Sequence, residues 1–255
     1  MDVNKNSYTF LFASLMVLVV ALLLSVSYVQ LKPFQDRNIE LEKKQNILSS
    51  VGINILREEA EDTYDKYIIE EVVVDNQGEK VLGYSAFDID LAKEIKKSSE
   101  DQLLPLFVSE MNGKKQYIIP LRGKGLWGPI WGFISLESDL NRVFGAVFDH
   151  KAETPGLGAE INQDFFQLPF KGKEIFKDNT LMSVKVVKGG ASKDDLYAVD
   201  GISGGTITSD GVTDMLYERL SMYTAYLNKM KKSNEVESMI LELDSLEIIS
   251  DSIIN

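Results

Sequence analysis

Apolar side chains recur along this chain in three rhythms, and each predicts a different kind of element. From Tyr8 to Val29 no residue is charged, and Leu, Val, Ala and Phe dominate. At 1.5 Å of rise per residue, about 22 helical residues give roughly 33 Å, enough to cross a hydrocarbon core. Tyr8 and Tyr28 lie near the two ends, where interfacial aromatics belong. A cleaved signal peptide is the rival reading, because Ser25-Val26-Ser27 is a small-x-small site. The apolar run exceeds a usual signal core, however, and Lys5 is the one basic residue before it. The pattern therefore predicts one uncleaved anchor helix over 8–29.

Beyond the anchor the rhythm changes. Gln35 to Glu61 reads as a helix with Ile39, Leu41, Ile47, Leu48, Val51 and Ile55 as its apolar contacts. Short apolar runs at Tyr67–Val74, Leu104–Val108, Gln116–Leu121, Ile130–Leu136, Val143–Phe148, Met182–Val187 and Leu196–Val199 read as strands. Asp88 to Lys97 reads as a short helix. A long amphipathic helix follows, with Val212, Met215, Leu216, Leu220, Tyr223 and Leu227 spaced three and four apart. No internal repeat is visible. The organisation predicted is α+β, with 1–7 before the anchor, 8–29 spanning, 30–66 a juxtamembrane helical segment, 67–231 a two-lobed domain and 232–255 a tail.

Charge narrows the partners. The 255 residues carry a net charge of −12 with one histidine and no cysteine. That balance argues against nucleic acid, which needs clustered Lys and Arg to neutralise phosphates. His/Cys metal clusters cannot form, no G-x-S-x-G or Ser-His-Asp pattern has support, and neither a metal site nor a catalytic residue is expected. His150 reads as a turn residue making a local hydrogen bond. From Ser233 to Asn255 the tail is acidic without a basic residue, and Val236, Ile240, Leu243, Leu246 and Ile253 give it a partial helical period. A surface helix is the simple reading, docking the alternative. Basic residues Lys32, Arg37, Lys43 and Lys44 follow the anchor, and taken literally the positive-inside bias keeps the large domain in the cytoplasm. Asp36, Glu40 and Glu42 intermix with them, and the rule weakens before a long domain.

The densest chemistry lies in Asp200-Gly201-Ile202-Ser203-Gly204-Gly205-Thr206-Ile207-Thr208-Ser209-Asp210-Gly211. Four glycines and four hydroxyls sit between a strand and the last helix. Unpaired amides at a helix start and the positive end of its dipole favour an anion there. Glycine admits close backbone approach, and a hydroxyl is a point of covalent attachment. Read from local chemistry alone, the segment is equally a turn in which Thr208 or Ser209 caps the helix. It is neither a Walker loop nor a dinucleotide fingerprint.

Asp200–Thr206 resembles the D-x-x-[ST]-G-A-T flavinylation motif of FMN-binding domains in membrane redox pumps, with Gly205 where alanine is usual. Glu153-Thr154-Pro155-Gly156-Leu157-Gly158 resembles the E-T-P-G-L-G loop of the same domains. Pro120–Gly128 with Trp131-Gly132 resembles their G-K-G-L-W-G region. Leu31-Lys32-Pro33-Phe34-Gln35, Asn38 and Lys43–Leu48 resemble the juxtamembrane segment of the C subunit of sodium-pumping NADH:quinone reductases, more closely than that of the related G subunit of Rnf-type ferredoxin:NAD oxidoreductases. The resemblance covers about Ser7 to Leu227.

It implies an extracytoplasmic FMN-binding domain on a single inner-membrane anchor. FMN would be joined by a phosphoester to Thr206 through a flavin transferase, with Asp200, Ser203, Gly204 and Gly205 completing the motif. Glu153, Thr154, Gly156, Leu157, Gly158 and Lys124 are implied to orient the ring or set its potential, and Leu126 and Trp127 to wall it. The expected partners are the other membrane, flavin and iron–sulfur subunits of a sodium-translocating NADH:quinone reductase, within which this chain relays electrons. A flavin-free anchored scaffold, in which Ser203–Ser209 merely caps a helix, is the alternative from a different class.

Overall fold

The structure is a computed structural model that describes residues 6–254. Helix α1 runs from Asn6 to Ser50 without interruption. Its most apolar stretch has a mean hydropathy of 2.7, and Phe10, Leu11, Leu15, Leu18, Leu22 and Leu24 are exposed along it. Length and composition are those of a membrane anchor. The helix passes through Pro33 and joins the anchor to the juxtamembrane helix, which were expected as separate elements over 8–29 and 35–61. Proline removes one i→i−4 bond, but side-chain pairs one turn apart follow it at once: Lys32–Asp36 at 2.5 Å, Arg37–Glu40 at 3.2 Å and Lys44–Glu40 at 3.5 Å. The expected end at Glu61 is not reached. Gly52, at φ 78°, turns the chain after Val51, and helix resumes only at α2, Ala60–Tyr67. Ile39, read as an apolar contact, is 63% exposed.

Residues 45–254 fold around one antiparallel sheet. Its strands are β1 (Ile68–Val74), β2 (Leu104–Met111), β3 (Lys114–Lys124), β4 (Pro129–Leu136) and β5 (Val143–His150), paired in chain order. Between β1 and β2 lies α3, Leu91–Glu94, a single turn capped by Asp90 rather than a helix over 88–97. β2 and β3 meet through Asn112 and Gly113 at φ 52° and 72°, the two-residue turn whose twist suits a hairpin. Alternation along each strand splits the interior into two cores. Val72, Leu106, Ile119, Leu121, Ile134 and Phe148 face one side, and Val73, Phe107, Ile118 and Phe133 the other. The second core is closed by Ile47, Leu48 and Val51 from the end of α1 and by Tyr64 of α2. Burial pushes the Tyr64 phenol up, and its hydroxyl donates to Glu71 Oε1 at 2.8 Å.

After β5 come α4 (Asp164–Gln167), the short pairs β6 (Phe176–Lys177) with β7 (Thr180–Leu181) and β8 (Lys185–Val187) with β9 (Ala198–Asp200), and then α5, Thr206–Ile254. The strand expected over 182–187 is confined to β8, because Ser183 takes φ 58° just before it. Val212, Met215, Leu216, Leu220, Tyr223 and Leu227 of α5 are at most 1% exposed, as their spacing predicts. Each such side chain contributes about 1.5–3 kcal/mol of burial free energy, so this stripe, rather than intrinsic propensity, fixes the helix on the sheet. Tyr223 donates its hydroxyl to the Pro105 carbonyl at 2.6 Å, pinning α5 to β2. Of the tail positions, Val236 is exposed; the side chains of Ile240, Leu243, Leu246 and Ile253 lie outside the described ones.

Candidate functional site

Three segments far apart in sequence meet at the start of α5. The first is the β3–β4 turn, closed by Gly125 N–H donating to the Gly128 carbonyl at 2.8 Å. The second is the loop after β5. The third is the Ser203–Ser209 segment, where Gly205 N–H donates to the Ile202 carbonyl and Ser209 N–H to the Gly205 carbonyl. Thr206 is therefore the first residue of α5.

Glycines set how closely the three approach. A Cβ on Gly211 would fall 2.3 Å from the Lys124 carbonyl, and one on Gly123 2.6 Å from Met215 Cβ. These two let the first turns of α5 lie directly on the end of β3. A Cβ on Gly204, whose φ is 77°, would meet Leu157 Cδ2 at 2.5 Å, and one on Gly158 would meet Thr208 Oγ1 at 2.3 Å. The motif glycines thus serve close packing as well as chain reversal.

The hydroxyls divide into two kinds. Thr208 is 1% exposed and donates to Glu153 Oε2 at 2.7 Å. Ser209 is 3% exposed, and its Oγ accepts Ile202 N–H at 3.2 Å. Neither caps the helix, contrary to the local reading, because the helix has already begun at Thr206. Thr206 is half-buried, Ser203 is exposed, and among the described residues neither hydroxyl has a hydrogen-bond partner.

The other expected site residues separate by burial. Glu153 is 4% exposed, and its Oε1 accepts the Trp127 N–H at 2.9 Å. Its own N–H donates to His150 Nδ1 at 3.2 Å, the local hydrogen bond expected of that histidine. Thr154 keeps its side chain exposed, and its carbonyl accepts Leu157 and Ala159 N–H, both at 3.1 Å. Gly156 N–H donates to Glu160 Oε1 at 2.8 Å. The amides of Gly156 and Leu157, expected to face a ring, are thus occupied within the loop. Asp200, at the end of β9, accepts Ala191 N–H at 2.7 Å and steadies the Gly189-Gly190 turn. Lys124 is exposed.

Leu126, Trp127, Leu157 and Ile207 are 47%, 66%, 40% and 57% exposed. They belong to the three converging segments, so large apolar side chains stand in water around the start of α5, where burial would be the rule. Ile207 was not among the expected residues; its signal was an apolar residue next to a threonine at a helix start. A polar cleft of about 290 Å³ lies beside β5, lined by Asn46, Ser49, Asp149 and Asp164 among others, and none of the expected residues borders it. Among the described residues no His, Cys, Asp or Glu cluster could hold a metal.

A helix start beneath glycine turns, an uncommitted hydroxyl on its first residue and a rim of exposed apolar side chains fit a phosphate-bearing aromatic ligand. Residues 125–221 match the FMN-binding domain family, and it is this class that the fold and the site define. The C subunit of the Na(+)-translocating NADH-quinone reductase from Haemophilus ducreyi is 33% identical over 227 residues, covering 82% of this chain and 88% of that protein. Its counterpart in Vibrio anguillarum is 33% identical over 211 residues, covering 76% and 82%. The crystal structure of the corresponding protein from Parabacteroides distasonis superposes with a TM-score of 0.72 at 46% identity, covering 77% of this chain and 96% of that one. Shewanella oneidensis NqrC, at 24% identity and a TM-score of 0.67, shares the fold. This chain belongs to the C-subunit (NqrC) family of Na(+)-translocating NADH-quinone reductases.

Proposed function

We propose that this chain is the flavin-carrying electron relay of a sodium-translocating NADH:quinone reductase, with FMN joined to Thr206 Oγ1 by a phosphoester. The carrying observation is the division of the hydroxyls: Thr208 and Ser209 are buried and bonded, while Thr206 is open on the first residue of α5. First-turn amides of a helix lack intrahelical acceptors, so those of α5 are placed to stabilise a phosphate esterified there. Ser203, the other uncommitted hydroxyl, precedes the helix and lacks that support. When bound, FMN supplies one- and two-electron transfer at its isoalloxazine ring. Leu126, Trp127, Leu157 and Ile207 then provide apolar contact for the ring and exclude water from part of it. A covalent tether leaves the protein to orient the ring rather than to retain it. A yellow, fluorescent band at the mass of this chain on a denaturing gel supports this reading; a colourless band from cells making the flavin transferase leaves the flavin-free scaffold.

Membrane topology follows from the same reading. The folded unit beyond α1 would lie on the periplasmic side of the inner membrane, with the anchor docking to the other membrane, flavin and iron–sulfur subunits. Lys173 lies between α4 and β6, beyond the anchor, and serves as the junction for a reporter. A reporter enzyme active only in the periplasm should be active at that site. Inactivity there, with a cytoplasmic reporter active at the same junction, reverses the topology.

A further inference from the structure

Glu153 is the most connected polar side chain of the site, yet neither of its oxygens points at an open face. Oε1 accepts Trp127 N–H and Oε2 accepts the Thr208 hydroxyl, so the carboxylate joins residues 26 and 55 positions away in sequence. A buried carboxylate must be satisfied, and both donors here are neutral. Glycines close the space around it. A Cβ on Gly125 would lie 2.6 Å from Oε1, and one on Gly158 would lie 2.7 Å from Oε2. His150 Nδ1 fixes the Glu153 backbone from behind. The result is a clamp between three segments rather than a ligand contact.

We propose that Glu153 is the specificity-determining residue for flavin attachment: it removes Thr208 from competition and holds Thr206 as the presented hydroxyl. This rests on the reading of Thr206 as the attachment point. Esterification has Thr206 Oγ1 attack the flavin-side phosphorus of a flavin dinucleotide donor. The pyrophosphate P–O bond breaks, the nucleoside monophosphate leaves, and the hydroxyl proton passes to a base of the transferase. Thr208, two residues on, has the same chemistry. Its only hydroxyl proton is donated to Glu153, and at 1% exposure its oxygen cannot reach a donor. The clamp also brings Leu157 against Gly204, bracing the turn that carries Thr206. Ser209 is withdrawn independently, by Ile202 N–H.

The test uses the full chain co-produced with a flavin transferase, reading flavin fluorescence per protein, the labelled residue by peptide mass mapping, and thermal unfolding to establish folding. Wild type and Thr208→Ser should label alike on Thr206, since serine keeps the donated proton. Glu153→Gln should label between wild type and Glu153→Ala, because its one amide oxygen can accept from Trp127 N–H or from the Thr208 hydroxyl but not from both. Thr208→Val should label several-fold less, and Glu153→Ala less than one tenth, with the residue of label divided between Thr206 and Thr208. A folded Glu153→Ala chain labelled fully and on Thr206 alone overturns the proposal. Where Glu153→Ala does not fold, equal labelling of Thr208→Val and Thr208→Ser overturns it, and a several-fold gap supports it. Thr206→Ala in the same series separates the two ideas. Flavin persisting there sinks the attachment reading, whereas flavin lost there beside a fully labelled Glu153→Ala sinks the clamp alone.

Discussion

Thr206→Ala is expected to abolish covalent flavin while leaving the fold intact. The side chain is half-buried and its hydroxyl makes no hydrogen bond among the described residues, so its loss leaves no buried partner unsatisfied. Alanine also suits the first turn of a helix. The stability change should stay within about 1 kcal/mol, in the range of surface substitutions. Thr206→Ser keeps the nucleophilic oxygen and should retain part of the flavin. In-gel fluorescence measures the label and thermal unfolding the fold. Flavin mapped to Ser203, Thr208 or Ser209 in the wild type would move the attachment point.

The isolated chain, purified with its flavin, should neither oxidise NADH nor move sodium; both activities should fall to background. One helix cannot build an ion path, because polar groups at membrane depth need other helices or a lined cavity. Tyr8–Val29 offers Tyr8, Thr9, Ser14, Ser25, Ser27 and Tyr28 as polar side chains and no ionisable amine or carboxylate. The five-stranded sheet is an antiparallel meander, and the parallel pair among the described residues, β8 with β9, is two short strands with no crossover helix between them, unlike a nicotinamide site. Replacing Tyr8–Val29 with an unrelated anchor should keep the flavin, since every segment of the site lies beyond β2, yet weaken incorporation into the complex. Quinone reduction from NADH by the isolated chain at the rate of the whole assembly would refute the relay reading.

The strands and the α5 stripe were legible because each obeys a local rule, short apolar runs in β1–β5, which are buried on both faces of the sheet, and three-four spacing from Val212 to Leu227. The breaks were not. The spacing of Ile47, Leu48, Val51 and Ile55 continues past Gly52, and only the packing of α1 against Phe107 and Phe133 decides that the chain turns there. At the candidate site, the motifs named segments that the structure brings together, but not the directions of their side chains. Glu153 looks like a ligand in sequence and points inward, because its partners Trp127 and Thr208 are brought to it only by the sheet and α5. Leu126 and Trp127, implied by the resemblance to wall the ring, stand exposed for the same tertiary reason.

The two tryptophans of the chain, Trp127 and Trp131, both lie on the β3–β4 hairpin, one at its tip and the other a few residues down β4. Intrinsic fluorescence excited through tryptophan is therefore a local optical gauge, blind to the anchor, to α2 and to the length of α5. With Trp127 two-thirds exposed beside the start of α5, its emission reports on whatever covers that rim. Loading of the site and docking of partner proteins can then be followed in the native chain, without a label introduced anywhere.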